Sequence, residues 1–249
     1  MPDLARKAIL QVQLVGLVAR AGLSILVIDS VEKTYDGGLS PVSALRGVSF
    51  EAAAGDFIAL MGPSGCGKST LLHLVGGMDF PSRGRVLLDG LALNELGEEA
   101  LARVRRTRIG FVFQFFNLLP TLTVAENVSL PLLLDGANET TSRQRAGVLI
   151  DRVGLTARAN HFPAQLSGGE MQRAAVARAI VSEPRLVLAD EPTGNLDTDA
   201  GSQVMKLLAD LNRDLGVTIL LATHSEEAAA YSSRTIRMRD GLIHDGSLE

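Results

Sequence analysis

The chain has 249 residues, of which 46% are hydrophobic and 21% charged. This composition suffices for one large globular domain and argues against long disordered regions. The formal net charge of −4 gives no basic footprint for nucleic acid, so we expect no nucleic-acid partner. A single cysteine excludes an intrachain disulfide and is typical of a protein from a reducing cytosol.

The N-terminal segment 1–24 is predicted to be an extension that precedes the domain, which we place at 25–249. Its apolar stretch, 8–28, is interrupted by polar residues and by Arg20, so it does not have the pattern of a membrane span. A signal peptide is the alternative interpretation, because basic residues precede the apolar run and 19–21 has the small-x-small form of a cleavage site.

Apolar strands and amphipathic helices then alternate along the chain. In chain order we predict strands at 25–30, 44–51 and 56–61, a helix at 67–76, an edge hairpin from 85–88 through Gly90, a helix at 98–106, a strand at 109–113, helices at 123–134, 142–153 and 169–182, a strand at 186–189, a helix at 200–215, and strands at 218–222, 235–238 and 242–244. This alternation favours an α/β fold with a parallel sheet covered on both faces. The interval from about 115 to 183 lacks strand signals and is predicted to be an inserted helical subdomain.

Residues 62–69 fit the phosphate-loop pattern G-x-x-x-x-G-K-[ST], between an apolar strand and a helix. Glycines let backbone N–H groups converge on phosphate oxygens, and the helix N-terminus adds a favourable dipole. Lys68 would contact the β- and γ-phosphates, and the Ser69 hydroxyl would bind Mg²⁺. The alternative is a glycine-rich turn without a ligand. The predicted nucleotide-binding residues here are Gly62, Pro63, Ser64, Gly65, Cys66, Gly67, Lys68, Ser69 and Thr70.

The one cysteine, Cys66, lies inside this loop, and two interpretations of its thiol are open. Neighbouring N–H groups and Lys68 would lower its pKa and make it reactive. Alternatively, it is a buried and inert residue that fills space.

Two acidic residues, Asp190 and Glu191, directly follow the apolar run 186–189. Carboxylates at the end of a buried strand are costly unless they serve a cation or a reaction. We therefore predict that Asp190 holds Mg²⁺ and that Glu191 is a general base facing the attacking water. An ordinary polar strand end is the alternative.

The run 166–173, Leu-Ser-Gly-Gly-Glu-Met-Gln-Arg, begins with an S-x-x-E capping box from Ser167 to Glu170. The simplest interpretation is a helix start. Two glycines in the first turn weaken a helix, however, which indicates that a ligand approaches the backbone closely. A helix N-terminus is an anion site, so the chain has two phosphate sites, as expected for a nucleotide shared by two copies.

With these motifs in this order, the chain resembles the nucleotide-binding domains of ABC transporters from about residue 25 to 246. The resemblance implies a P-loop NTPase (RecA-like) α/β core with an antiparallel β region and an inserted α-helical subdomain. It implies ATP hydrolysis with ATP and Mg²⁺ bound between two copies of the chain. It also implies an integral-membrane permease as partner, and a cytoplasmic location, peripheral on the inner face of the cell membrane.

The resemblance assigns further roles. Tyr35 would stack on adenine, and Gln114 would touch Mg²⁺ and water and link to the membrane partner. His224 would position the γ-phosphate and water, and Asp197 would communicate across the dimer. The signature motif would bind the ATP of the opposite copy through Ser167, Gly168, Gly169 and Glu170.

Finer similarity in 71–77, 158–163 and 185–197 resembles the lipoprotein-releasing and macrolide-export branch. That branch pairs its ATPase with permeases of few spans and a large extracytoplasmic domain. Two alternatives remain open. One is the cell-division branch, which regulates wall hydrolysis through a similar membrane partner. The other is a soluble ABC ATPase of DNA repair or translation, although such proteins usually carry two ATPase units or a long coiled coil.

Overall fold

The computed structural model describes residues 24–36 and 41–244, so the predicted extension lies outside the described residues except for Ser24. Within these residues the apolar runs form ten strands in two sheets. Their bounds are β1 Ser24–Tyr35, β2 Val42–Ala53, β3 Phe57–Met61, β4 Arg83–Leu88, β5 Leu91–Ala92, β6 Ile109–Val112, β7 Leu186–Asp190, β8 Thr218–Thr223, β9 Arg234–Arg239 and β10 Leu242–His244.

The larger sheet has the strand order β10-β9-β3-β8-β7-β6, and only β10 runs antiparallel to its neighbour. Every residue of β3 and β8 is buried, because the strands of a parallel sheet are covered on both faces. The register pairs Met61 with Thr223 and Asp190 with Ala222. The carboxyl ends of these strands therefore meet at one edge of the sheet.

The smaller sheet is antiparallel, in the order β2-β1-β4-β5. Its edge hairpin turns at Asp89 and Gly90, which both have positive φ, at 50° and 76°. Such backbone angles suit a tight hairpin turn, and the predicted hairpin is confirmed. Strands β1 and β2 are longer than predicted. Their antiparallel pairing continues, with shifts in register, through polar residues that lie beyond the apolar runs.

Seven α-helices lie in the described part of the chain: α1 Lys68–Val75, α2 Glu98–Arg108, α3 Val124–Leu134, α4 Glu139–Arg152, α5 Gly168–Ile180, α6 Thr198–Leu215 and α7 Glu226–Ala229. Six of them match predicted helices. The short polar helix α7 was not predicted, because four residues give no periodicity. Helices α4 and α6 begin earlier than predicted, since Asn138 and Asp197 cap them with side-chain oxygens. None of these helices is long and apolar enough to cross a membrane.

Helix α5 is shared by two of the three hydrophobic clusters. Between β6 and β7 the described chain contains helices and no strand, and α3, α4 and α5 enclose one cluster. Ala174, Ala177 and Val181 contribute to this helical cluster, whereas Val176 and Ala179 pack against the parallel sheet. Opposite sides of α5 thus join the helical region to the core.

The contact between α5 and β6 leaves no room for a side chain at Gly110. A Cβ there would lie 2.1 Å from the carbonyl oxygen of Ala179. The backbones of the strand and the helix are therefore in direct contact, which requires glycine at this position.

We predict that Gly110→Ala destabilises the fold by about 1–3 kcal/mol, because the new methyl group must push α5 away from β6. The free energy of unfolding in urea measures the change. Gly147→Ala is the control, because Gly147 lies in α4 with open space around its missing Cβ. That substitution should stabilise the chain by about 0.5–1 kcal/mol. Equal effects of the two variants would contradict the close contact.

Candidate active site

The phosphate loop (62–69) joins β3 to α1, and neighbouring backbone fixes its ends. A Cβ on Gly62 would lie 2.1 Å from the Met238 carbonyl oxygen in β9. Gly67 has a φ of 105°, and a Cβ there would lie 2.6 Å from the carbonyl oxygen of Ala44. The N–H of Gly241, in the β9–β10 turn, donates to the Cys66 carbonyl over 3.2 Å. The loop is therefore enclosed by β2 and by the C-terminal hairpin.

The Lys68 ammonium group is buried within this loop. Its Nζ donates to the carbonyl oxygens of Gly62 and Pro63 over 2.7 and 3.1 Å, and it lies 3.9 Å from Glu191 Oε1. A cation held among converging loop atoms is suited to a phosphate group. The structure thus brings the predicted loop lysine and the predicted base together.

Ser69 and Asp190 form the candidate cation site. The Ser69 hydroxyl donates to Asp190 Oδ1 over 3.0 Å. Burial raises the pKa of the Asp190 carboxyl above its usual range, although the Ser69 hydrogen bond opposes the shift. Two adjacent hard oxygen ligands fit Mg²⁺, which usually keeps several waters and takes phosphate oxygens. Among the described residues there is no cluster of three or more His, Cys, Asp or Glu that could hold a metal by itself.

Glu191 is held in an unusual backbone conformation beside His224. Its φ is 45°, in the left-handed region that costs about 1–2 kcal/mol for a residue with a Cβ. Its N–H donates to the Ala222 carbonyl over 2.9 Å, and its Oε1 lies 2.9 Å from His224 Nδ1. The β7 strand ends one residue earlier, at Asp190, and the Glu191 carboxylate lies toward the phosphate loop, 3.9 Å from Lys68 Nζ.

Gln114 and Asn195 hold each other at the same edge of the sheet. Asn195 Nδ2 donates to the Gln114 carbonyl over 3.0 Å, and Gln114 Nε2 donates to Asn195 Oδ1 over 3.4 Å. A Cβ on Gly194 would lie 2.7 Å from Gln114 Nε2, so glycine leaves space for this side chain. The Gln114 loop and the segment after Glu191 are therefore mutually positioned.

Tyr35, at the end of β1, presents a half-exposed ring close to α1. Its hydroxyl donates to Asp79 Oδ2 over 3.0 Å, while Lys33 Nζ lies 4.8 Å from the ring centroid. Burial and the Asp79 carboxylate raise the pKa of the Tyr35 hydroxyl. Sequence reasoning missed Lys33 and Asp79. Lys33 lies two residues before Tyr35, on the same face of the strand, whereas nothing near Asp79 in the sequence indicates its contact.

The signature turn (167–170) has the predicted capping box. Ser167 Oγ accepts from the Glu170 N–H over 3.3 Å, and Glu170 Oε2 accepts from the Ser167 N–H over 2.8 Å. The hydrogen bond from the Ser167 N–H, together with Arg158, lowers the pKa of the Glu170 carboxyl. The N–H groups of Gly168 and Gly169 have no intrahelical acceptor at this helix end and so remain suited to an anion.

Within one chain, the two predicted phosphate sites are not brought together. No hydrogen bond or ion pair between the described residues links the signature turn to the phosphate loop. Asp197, predicted to act across a dimer, uses Oδ1 to cap α6 by accepting from the Ala200 N–H over 2.8 Å.

The structure favours the second interpretation of Cys66. Its side chain is only 3% exposed and belongs to the main hydrophobic cluster. The thiol packs beside Gly62, where an added Cβ would lie 2.7 Å from its Sγ, and so fills space within the loop.

Comparisons with known proteins show the family to which the chain belongs. A family model described as ABC transporter matches residues 45–194. The chain is 46% identical over 220 residues to the lipoprotein-releasing system ATP-binding protein LolD of Geobacter metallireducens, covering 88% of this chain and 98% of that protein. It is 46% identical over 216 residues to the macrolide export ATP-binding/permease protein MacB of Bdellovibrio bacteriovorus, covering 87% of this chain and 33% of that protein.

A solved structure gives the same result for the fold. The dimeric post-hydrolysis state of the ATP-binding cassette MJ0796, bound to ADP and Pi, is similar with a TM-score of 0.82 and 41% identity, over 88% of this chain and 96% of that one. The predicted P-loop NTPase fold, with its antiparallel region and helical insertion, is confirmed.

Burial of Cys66 leads to a labelling prediction. We expect the folded chain to react with N-ethylmaleimide far more slowly than the chain unfolded in urea, because the loop must open before the thiol is accessible. Mass spectrometry measures both rates, and Cys66→Ala provides the unlabelled control. Rapid labelling of the folded chain, slowed by nucleotide, would support the reactive-thiol interpretation instead.

Proposed function

Because the chain belongs to the ABC transporter family and is an ATPase, we propose that it drives a membrane permease of the lipoprotein-release or macrolide-export type. The observation that carries the site assignment is the position of Glu191. Its carboxylate lies 2.9 Å from His224 Nδ1 and 3.9 Å from Lys68 Nζ, beside the phosphate loop. A base, an orienting group and a phosphate-binding cation thus meet at one point.

Each residue has a role in hydrolysis under this proposal. Lys68 and the loop N–H groups hold the phosphates, and Tyr35 stacks its open face on adenine. Glu191 takes a proton from the attacking water, while His224 orients the carboxylate and the γ-phosphate. Ser69, Gln114 and Asp190 would hold Mg²⁺, which neutralises phosphate charge when bound.

Two copies of the chain would complete each site. The Ser167–Glu170 turn of one copy would bind the γ-phosphate held by the phosphate loop of the other through its free N–H groups. The dimeric structure of the ATP-binding cassette MJ0796 supports this arrangement. Asp197, next to the turn that carries Glu191, would then lie near the partner copy.

A groove beside Gln114 is the proposed docking site for the permease. It has a volume of about 500 Å³ and lies between α2, β6, α3 and α5. Leu130, Pro131 and Leu134 give it an apolar wall, and arginines lie along the other side: Arg105, Arg106 and Arg178. This combination suits a cytosolic segment of the permease that carries apolar residues and an acidic residue. Docking there would attach the chain to the inner face of the membrane.

The groove is next to Gln114 along the chain. Phe113 lines it and directly precedes Gln114, and the neighbouring Phe115 is strongly exposed. Movement of a docked permease segment would therefore reach Gln114 within a few residues. The partner's identity decides between the release, export and cell-division branches.

We predict that Glu191→Gln lowers kcat by about 10²- to 10⁴-fold, because the base is lost while the shape is kept. ATP binding should persist, so the variant should accumulate as an ATP-bound dimer on size-exclusion chromatography. Adding Ser167→Arg should abolish that dimer but leave ATP binding to the monomer intact. A Glu191→Gln chain that hydrolyses ATP at the wild-type rate, or stays monomeric with millimolar ATP, would contradict the assignment.

We further predict that Leu134→Asp weakens permease binding by about 2 kcal/mol, roughly 30-fold, because a charge enters the apolar wall. Basal ATP hydrolysis should be unchanged, since Leu134 lies outside the nucleotide site. Copurification with a tagged release- or export-type permease measures the loss. Val148→Asp is the control, because Val148 is similarly exposed on α4 and does not line the groove. Equal binding by both variants would exclude the groove.

A further inference from the structure

The loop that carries Gln114, residues 113–117, has a strained backbone. Phe116 and Asn117 follow one another with φ values of 60° and 50°, in the left-handed region that residues with a Cβ rarely adopt. Such conformations persist only where the surroundings determine them, and they cluster at functional sites. Groups outside the loop must therefore hold it in place.

Two side chains from α5 provide these contacts, one on each side of Gln114. Gln172 is fully buried, and its Nε2 donates to the Phe113 carbonyl over 3.1 Å. Arg178 donates through one guanidinium nitrogen to the Phe116 carbonyl over 2.9 Å and through the other to the Asn117 carbonyl. Side chains of one helix thus form hydrogen bonds to the backbone before and after Gln114.

The charge of Arg178 is stabilised mainly by these carbonyl groups. No carboxylate of the described residues lies within ion-pair distance of its guanidinium, although the chain forms many arginine ion pairs elsewhere. Partial burial lowers the pKa of Arg178, in keeping with a cation partly removed from water. A partly buried cation without a carboxylate partner gains little from packing alone, which indicates that its hydrogen bonds to the loop matter.

Helix α5 is itself immobilised against the sheet. The backbone contact between Gly110 and Ala179 fixes it to β6, and its N-terminus begins at the signature turn. The signature turn and the Gln114 loop are therefore both held by α5, and the placement of this helix determines where each of them lies.

We propose that Gln172 and Arg178 are positioning residues that clamp the Gln114 loop to the helix of the signature turn. This inference rests on the proposed function, in which Gln114 acts at the ATP site. Neither residue touches nucleotide in this arrangement. Together they ensure that the signature turn engages the partner copy only when Gln114 is correctly placed in its own site.

The test uses the full chain with Arg178→Met and Gln172→Met, each in the wild-type and Gln114→Ala backgrounds. Each clamp variant should lower kcat for ATP hydrolysis by about 10- to 100-fold, the cost of a displaced site residue, and leave the KM for ATP unchanged. In the Gln114→Ala background, the same substitutions should cause no further loss, because the side chain that they position is absent.

Controls separate positioning from stability. Arg145→Met removes another arginine hydrogen bond near the C-terminus of α5, where Arg145 donates to the carbonyl of the C-cap residue Val181 over 3.0 Å and makes no hydrogen bond to the Gln114 loop. Its kcat should match the wild type. Arg178→Lys, which keeps one cationic donor, should restore part of the rate. Thermal unfolding of each variant identifies a folding failure, and if Arg178→Met does not fold, Gln172→Met decides.

The outcomes are distinct. If Gln114→Ala is slow and the clamp substitutions slow it further by the same factor as in the wild type, the clamp is wrong while the proposed role of Gln114 stands. If Arg178→Met and Gln172→Met both hydrolyse ATP at the wild-type rate, the clamp is likewise wrong. If Gln114→Ala hydrolyses ATP at the wild-type rate, the proposed role of Gln114 fails, and the clamp fails with it.

Discussion

The parallel pairing of β3, β8, β7 and β6 is the constraint on which the rest of the molecule depends. Its register places Met61, Thr223, Ala222 and Asp190 side by side at one edge of the sheet. The phosphate loop, His224, the proposed base Glu191 and Gln114 follow these strand ends. Segments far apart in sequence reach one site because their strands end together, and a one-residue slip in register would turn the acidic pair to the wrong side.

Unfavourable local features are concentrated at this edge. Glu191, Phe116 and Asn117 all adopt left-handed conformations, Lys68 is a buried cation, and burial works against ionisation of Asp190. Each would lower stability in isolation. The sheet beneath and α5 alongside are apolar and tightly packed, so the core stabilises a site that could not form by itself. Such a division between a stable scaffold and a strained site is what a preorganised catalytic centre requires.

Much of this was predictable from the sequence, for physical reasons. Strands such as β3 and β8 are continuous apolar runs, and the phosphate loop and signature turn depend on residues adjacent in sequence. What escaped prediction depends on contacts between distant segments. The carboxylate of Asp79 beneath Tyr35, and the grip of Arg178 on the Gln114 loop, link residues whose local patterns are ordinary. Helix α7 escaped because its cap, Ser225, precedes too short a polar turn.

The hydrogen bond from Gly241 to Cys66 has a consequence for biosynthesis. Protein chains emerge from the ribosome N-terminus first, so the phosphate loop is translated before the hairpin that encloses it. A nascent or truncated chain therefore contains the complete loop sequence without the backbone that shapes it. Nucleotide binding should begin only after this hairpin has been synthesised, which keeps shorter nascent chains from competing for ATP.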